Sequence, residues 1–507
     1  MSEQARAVRV LTINTLAFTV CFAAWVMNGV LVTFLVDHRV YPWDKAQMGF
    51  LIGAPVLTGA LMRLPVGILT DRLGGRVVFT ALMLVSAIPL YLVSAADRYM
   101  HFVVASLGFG LCGASFAVGV AYTSVWFRKE QQGTVLGVFG MGNAGAALTS
   151  MAAPVLLRRI THEAAYLDGW RTLPKLYAAL LVVTAALFWL LSVSKKADQA
   201  QALPLRQRLG PLTSVRVWRF GLYYFLFFGS FVALSQWLIP YYVNVYFLSI
   251  GTAGVLTAVF SLPAGLTRTF GGWLSDRWGA RTVMYGTLGS SLILLILLFP
   301  PRMEIQSPGQ GILADRPGAV VFVSSERIVV GEEQYRLARP VEQHDVRVRL
   351  GIHGDDLSQG VIFLPTASFW QEPAVQVGDT VIKGQLLARG ITRVYFQANV
   401  GVFTGLVLLV GITMGMGSAA VFKHIATYFP GSVGVVGGLV GVIGGLGGFF
   451  NPLLFGYLLQ ATGIWTTCWM LLALVSLACL VWMHLVVRRV MRRQAPDLAR
   501  HIEAAPS

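Results

Sequence analysis

Charge is scarce in this sequence, and negative charge scarcer. Only 12% of its 507 residues are charged, 23 Asp and Glu against 39 Lys and Arg, while 56% are hydrophobic. Soluble domains carry about 25% charged residues, so a soluble globular fold is excluded. Cysteine is scarcer still. Cys21, Cys112, Cys468 and Cys479 all lie in apolar runs and no pair has CxxC spacing. They read as small buried hydrophobes, which excludes a disulfide framework and a thiolate metal site, and no cofactor is expected. A cleavable leader is not expected either, because the apolar run from about Val10 to Val36 is too long for a signal h-region.

What the chain has is a succession of apolar runs of membrane-spanning length. Helices 1 to 6 are predicted near 9–36, 47–70, 77–96, 101–126, 132–157 and 174–193, helices 7 to 9 near 218–247, 252–275 and 282–299, and helices 10 to 12 near 394–425, 432–460 and 464–488. The net charge of +16 does not point to nucleic acid, because the basic residues cluster in turns. Arg72, Arg76, Arg128, Lys129, Lys195, Lys196, Arg277, Arg281, Arg488, Arg489, Arg492 and Arg493 all follow even-numbered helices. By the positive-inside rule both termini are cytoplasmic and the lipid bilayer is the partner. The connection between helices 5 and 6 dissents, with Arg158, Arg159, Arg171 and Lys175.

The chain is organised around GALMRLPVGILTDRLGGR at 59–76 and its copy GLTRTFGGWLSDRWGAR at 265–281. Arg63 precedes Asp71 by eight residues, as Arg268 precedes Asp276, and both pairs are offset by 205 residues. Eight helical residues rise about 12 Å, so each arginine lies near the midplane if its aspartate marks the surface. An arginine there costs about 2.5–3.5 kcal/mol or more and is rarely left facing lipid. Two at matching places of an internal repeat predict a site on a pseudo-symmetry axis.

The turn Asp71-Arg72 with Gly74 and Arg76, repeated as Asp276-Arg277 with Gly279 and Arg281, resembles the loop signature of the major facilitator superfamily. The fold this implies is an all-α membrane protein of twelve transmembrane helices in two six-helix halves. In that family these residues latch neighbouring helices in one conformational state. Gly67 and Gly272 belong to the same stretches. Helix 5 carries Gly133, Gly137, Gly140, Gly142, Asn143 and Gly145, and the stretch GVVGGLVGVIGGLGGFFNP of helix 11 carries Gly437, Gly438, Gly441, Gly444 and Gly445 among eight glycines. Small residues at such spacing let helices approach and slide, although glycine weakens each helix.

FAVGVAYTSVWFRKEQQGTVLGVFGMGNAGAA at 116–147 and AVFKHIATYFPGSVGVVGGLVGVIGGLGGFF at 420–450 resemble the paired signatures of the nitrate/nitrite porter family within that superfamily. Arg128 and Ser418 depart from its usual proline and asparagine. The resemblance implies a carrier, not an enzyme, with nitrate and nitrite as its anions. It implies Arg63 and Arg268 as substrate arginines, with Phe116, Asn143, Tyr224 and Phe228 shaping the pocket. The chemistry agrees, since planar guanidinium groups can fork onto the in-plane oxygens of a flat monovalent anion and aromatic rings can cover its faces. No Asp or Glu lies in the middle third of a predicted helix. That favours exchange over proton symport. A carrier for another small anion and an anion sensor or assembly protein acting through the insert are the competing readings.

The insert is Pro300–Arg393, which lacks a spanning run. Short strands are predicted at 319–324, 327–330, 346–350 and 361–364. The repeat offset grows from 205 to 302 between Asp71/Asp276 and Phe127/Phe429, so 97 residues enter between helices 8 and 11. AVQVGDTVIKGQLLARG at 374–390 resembles a strand–turn–strand of biotinyl/lipoyl-type barrel-sandwich hybrids, but the insert's only lysine, Lys383, lies inside that motif, so no attached cofactor is expected. A β-rich periplasmic domain is predicted, serving as a dock for a periplasmic protein or as a plain cap. The expected organisation is a six-helix bundle at 1–193, a cytoplasmic linker at 194–217, helices 7–9 at 218–299, the insert at 300–393, helices 10–12 at 394–493 and a cytoplasmic tail at 494–507.

Overall fold

A computed structural model of the chain describes residues 3–127, 132–162, 165–195, 210–300, 303–338, 366–396, 399–429 and 433–494. The strands expected at 346–350 and 361–364 fall outside those residues, as do Arg128, Lys129, most of the linker and the tail. The chain forms two compact units, one of Met1–Phe299 with Thr404–Ser507, the other Pro300–Phe403.

Among the described residues twelve helices are long and apolar enough to cross a membrane. Helices 1 to 6 are Gln4–Asp37, Lys45–Thr70, Gly75–Val93, Tyr99–Ser124, Val135–Ile160 and Leu167–Leu191. Helices 7 to 12 are Val215–Tyr246, Ile250–Trp278, Ala280–Leu297, Val400–Ile425, Val436–Thr462 and Thr467–Arg489. Local chemistry sets several ends. Asp44 and Gln47 form a reciprocal capping box at the start of helix 2, with Gln47 N–H donating to Asp44 Oδ1 at 2.7 Å and Asp44 N–H donating to Gln47 Oε1 at 3.1 Å. The repeated turns hinge on Gly74 and Gly279 at φ +90° and +82°, a conformation only glycine adopts without strain. Arg171, in the dissenting loop, donates to Asp97 Oδ1 at 2.6 Å and to the carbonyls of Ser94 and Ala96. It ties helix 6 to the turn before helix 4, a structural task that accounts for its place there.

Several helices are interrupted part-way along. Helix 1 breaks between Trp25 and Asn28, and helix 2 at Met62. Helix 4 tightens to 3-10 geometry at Gly110–Ala114, helix 5 does so at Met141–Ala144, and helix 7 widens to a π turn at Phe225–Gly229. Pro55 adds to this within helix 2, because it has no N–H for the Leu51 carbonyl one turn back. Asn28 Nδ2 donates to that carbonyl instead, at 2.7 Å.

The second unit is antiparallel β-structure. β1 (Met303–Leu313), β7 (Leu386–Phe396) and β5 (Thr366–Pro373) form one sheet in the order β1-β7-β5. β4 (Glu333–Arg336), β3 (Arg327–Val330), β2 (Gly318–Val323) and β6 (Thr380–Val381) form the other in that order. Val320, Ile328, Val330, Val381 and Leu387 share its small core. The motif at 374–390 folds as β6, a turn and the start of β7, with Gly378 and Gly384 at positive φ. One boundary differs from the expectation. Val394, Tyr395 and Phe396 pair with Ile305, Glu304 and Met303, so they are strand, not the start of helix 10. Their β-branched and aromatic side chains suit either reading in isolation, and only the partner strand decides.

Candidate functional site

Arg63 opens the second segment of helix 2 and is 4% exposed. Its Nη1 donates to the Gly441 carbonyl of helix 11 at 2.7 Å, and its Nε reaches the Gly113 carbonyl of helix 4 at 3.4 Å. Its guanidinium carbon lies 5.1 Å from the Phe228 ring centroid, 5.5 Å from Phe116 and 6.0 Å from Trp25. Arg268 on helix 8 approaches the same two phenylalanines, at 5.7 Å from Phe228 and 6.0 Å from Phe116. The two guanidinium carbons are therefore no farther apart than their two distances to Phe228 taken together. Arg268 Nη2 donates to Tyr224 Oη at 2.9 Å, while its Nη1 is buried without an acceptor among the described residues.

The aromatic frame follows from the helix interruptions. The π turn of helix 7 lets Tyr224 and Phe228 stack with centroids 4.9 Å apart and planes 4° apart. Such single π turns recur at functional sites because they re-aim side chains within a helix. Phe116 follows the 3-10 segment of helix 4 and packs on Phe18 and Phe139. Five of the six expected pocket residues thus share one cluster. Asn143 makes no hydrogen bond to the other five among the described residues. It occupies the 3-10 segment of helix 5, buried against Gly265 of helix 8, and both its amide atoms lack hydrogen-bond partners among the described residues. The Gly441 carbonyl and Trp25 were not expected from the sequence. Trp25 Nε1 donates to the Pro55 carbonyl at 2.9 Å, and a Trp in the middle of an apolar run gives no hint of that.

The glycines divide by role. A Cβ on Gly444 would lie 2.2 Å from Tyr224 Cδ1, one on Gly445 2.8 Å from Ala60 Cβ, and one on Gly142 2.3 Å from Phe18 Cδ1. Gly441 faces Arg63 Nη1 at 3.7 Å and Gly437 faces Phe422 at 3.2 Å by the same construction. These admit the site's side chains or a neighbouring helix. Gly140, Gly272 and Gly438 have nothing within 4 Å, and Gly67 and Gly137 meet only distant atoms, at 4.0 and 3.9 Å. Gly133 lies on helix 5, with its side-chain surroundings outside the described residues. Across the two halves, helix 2 meets helix 11 most tightly where a Cβ on Gly49 would lie 2.3 Å from the Pro452 carbonyl oxygen. Helix 8 meets helix 5 where one on Gly254 would lie 2.0 Å from the Ser150 carbonyl oxygen.

The repeated turns contact their neighbours. Asp276 on helix 8 forms an ion pair with Lys423 on helix 10. Arg76 donates through Nε and Nη2 to the Trp189 carbonyl at 3.1 and 2.6 Å and covers the Trp189 ring at 4.3 Å. Arg277 covers Trp273 on its own helix at 5.6 Å, and Arg72 is exposed. The Asp71 side chain lies outside the described residues.

A family model for the Major Facilitator Superfamily matches residues 13–314. The probable nitrate/nitrite antiporter NarK1 of Thermus thermophilus is 38% identical over 506 residues, covering 99% of this chain and 96% of that protein. The chain belongs to the major facilitator superfamily, in its nitrate/nitrite porter family. The porter is also 25% identical to the nitrite extrusion protein of Bacillus subtilis, over 94% of each chain. Among solved structures, a bacterial homolog to the human lysosomal transporter Spinster, inward-facing and occupied, superposes with a TM-score of 0.64 at 12% identity, covering 95% of the porter and 97% of that chain. The nucleoside transporter NupG gives a TM-score of 0.57 at 11% identity, over 96% and 98%. These likenesses establish the fold, a bundle of twelve membrane-spanning helices.

Proposed function

We propose that this porter exchanges nitrate for nitrite across the cytoplasmic membrane, working as a carrier rather than a catalyst. One observation supports the reading above the rest. Two guanidinium groups converge on the same pair of phenylalanine rings, and Arg268 keeps a buried Nη1 donor without an acceptor among the described residues. A flat monovalent oxyanion matches that arrangement. Its in-plane oxygens accept from Arg63 and Arg268, and its faces lie against Phe116 and Phe228. Asn143, whose amide atoms both lack partners among the described residues, would complete the pocket once helix 5 and helix 8 move.

The basic turns support cytoplasmic termini. Lys45 then lies at the outer end, where its Nζ approaches Asn244 Oδ1 at 3.4 Å and the Trp465 ring at 5.3 Å. The tight helix contacts at Gly49 and Gly254 are also on that side, which fits an inward-facing state. Exchange follows from charge. Two like charges in a dry cavity repel with little screening, and arginine does not relieve this by losing its proton. No Asp or Glu is buried among the described residues. An anion offsets the repulsion, so the loaded carrier reorients while the unloaded one lags.

Proteoliposomes loaded with nitrite and diluted into nitrate, with a lumenal pH dye, test this. Uptake is expected without a pH gradient and without a dye response. Fast uptake into anion-free vesicles with a proton moved per nitrate would defeat the exchange reading, and His101 and His424 would be the residues to mutate next.

The insert is dispensable for this cycle on the same reading. Met303 and Phe396 are direct partners in the sheet, about 5 Å apart at Cα, so a short flexible linker can replace everything from one to the other. The shortened protein is expected to fold and to exchange at a rate within about twofold of the full chain, since surface replacements away from packed features change little. A folded deletion protein without exchange would assign the insert an essential role.

A further inference from the structure

A second basic cluster lies away from the central arginines, at the opposite end of helix 7 from Asn244. Arg216 and Arg219 on helix 7 and Arg281 at the start of helix 9 line one cleft with Phe220, His424 and Tyr428. Arg216 and Arg281 are exposed at its mouth, while Arg219 is only 9% exposed and its buried Nε has no hydrogen-bond partner among the described residues. Among the described residues no carboxylate forms an ion pair with any of the three. Asp276, at the end of helix 8, is already paired with Lys423. The aromatic groups hold the arginines in place. Arg219 lies over Phe220 at 5.2 Å and Arg216 over Tyr428 at 5.7 Å, and His424 stacks between Phe220 and Tyr428 at 5.6 and 5.9 Å.

Three converging cations, one of them buried with an unused donor, need an oxyanion. We infer that this cleft is a binding site for a phosphate group, presented by an acidic lipid headgroup at the cytoplasmic surface or by a free phosphate anion. Arginines that merely reach for headgroups lie on the surface with their stems along lipid. Arg219 instead is enclosed by helices 7 and 10, so its ligand has to enter the cleft. The cleft is also coupled to the central site by position, since Arg219 precedes Tyr224 by five residues on one continuous segment, Val215–Tyr224. An anion held there fixes the segment that presents Tyr224 to Arg268.

The test uses the purified full chain in detergent and in nanodiscs. Its thermal midpoint is titrated with phosphatidylglycerol, with phosphatidylcholine and with inorganic phosphate, and retained lipid is counted by native mass spectrometry. A saturable rise is expected with a phosphate-bearing anion and not with phosphatidylcholine. Half-saturation should be about tenfold weaker in Arg219→Gln, the loss expected for one charge-assisted hydrogen bond. Arg6→Gln, which removes an exposed charge on helix 1, should leave it unchanged. A response to phosphatidylglycerol alone assigns the lipid headgroup, and an equal response to inorganic phosphate assigns the free anion. If Arg219→Gln does not fold, the exposed pair Arg216→Gln with Arg281→Gln carries the comparison. No saturable response to either anion, or one weakened as much by Arg6→Gln, overturns the site.

Discussion

Arg63→Lys and Arg268→Lys are each expected to lower nitrate exchange by about a hundredfold or more, the loss of two charge-assisted hydrogen bonds, with folded protein retained. Lysine keeps the positive charge, so the variants isolate geometry from electrostatics. A guanidinium divides its donors between the protein and a ligand. Arg63 spends Nη1 on the Gly441 carbonyl, and Arg268 spends Nη2 on Tyr224. Each then has a coplanar nitrogen left to aim at an anion. A lysine ammonium is a point donor on a flexible stem and cannot serve both partners in one plane. Initial rates in proteoliposomes, with size-exclusion profiles to establish folding, check this. Wild-type-like uptake by either variant would remove the paired-arginine clamp from the mechanism.

Gly444→Ala should be nearly as damaging, although glycine to alanine within a helix ordinarily stabilises it. The new Cβ would lie 2.2 Å from Tyr224 Cδ1, closer than any real contact, so the ring must move. Overpacking of this kind costs about 1–3 kcal/mol. The movement breaks the Tyr224–Phe228 stack and pulls the Tyr224 hydroxyl from Arg268, so the half-saturating nitrate concentration should rise about tenfold or more. Gly438→Ala, where nothing lies within 4 Å, is the matched control and should be close to neutral. Equal behaviour of the two variants would mean that the helix 11 glycines act through general flexibility and not by making room for Tyr224.

Much of the candidate site was legible because it is written twice. The 205-residue offset picks out Arg63 and Arg268 without any structure, Phe116 falls within a porter signature, and Tyr224 and Phe228 come from the family resemblance of LYYFLFFGSF on helix 7. What stayed hidden depends on packing between distant segments. The Gly441 carbonyl accepts from Arg63 only because helices 2 and 11 cross there, and a glycine in a glycine-rich run does not announce which carbonyl faces a partner. The π turn at Phe225–Gly229 leaves no mark in LYYFLFFGSF, which reads as an uninterrupted apolar helix. Arg219 was hidden differently. It looks like one more basic residue at a membrane boundary, and its burial is decided by Phe220, His424 and Tyr428 from two helices. At the insert, the hydropathy of Val394–Phe396 could not separate a strand end from a helix start, and pairing with Met303–Ile305 settles it.

The central claim is that two guanidinium groups and two phenylalanine rings select a flat monovalent anion and move it by exchange. Counterflow of labelled nitrate tests it most directly. Vesicles containing the purified protein and loaded with unlabelled nitrate or nitrite should transiently accumulate label above equilibrium. Vesicles loaded with sulfate or phosphate should not, because those anions are tetrahedral and carry more charge. Equal accumulation with sulfate inside, or none with nitrite inside, would contradict the account.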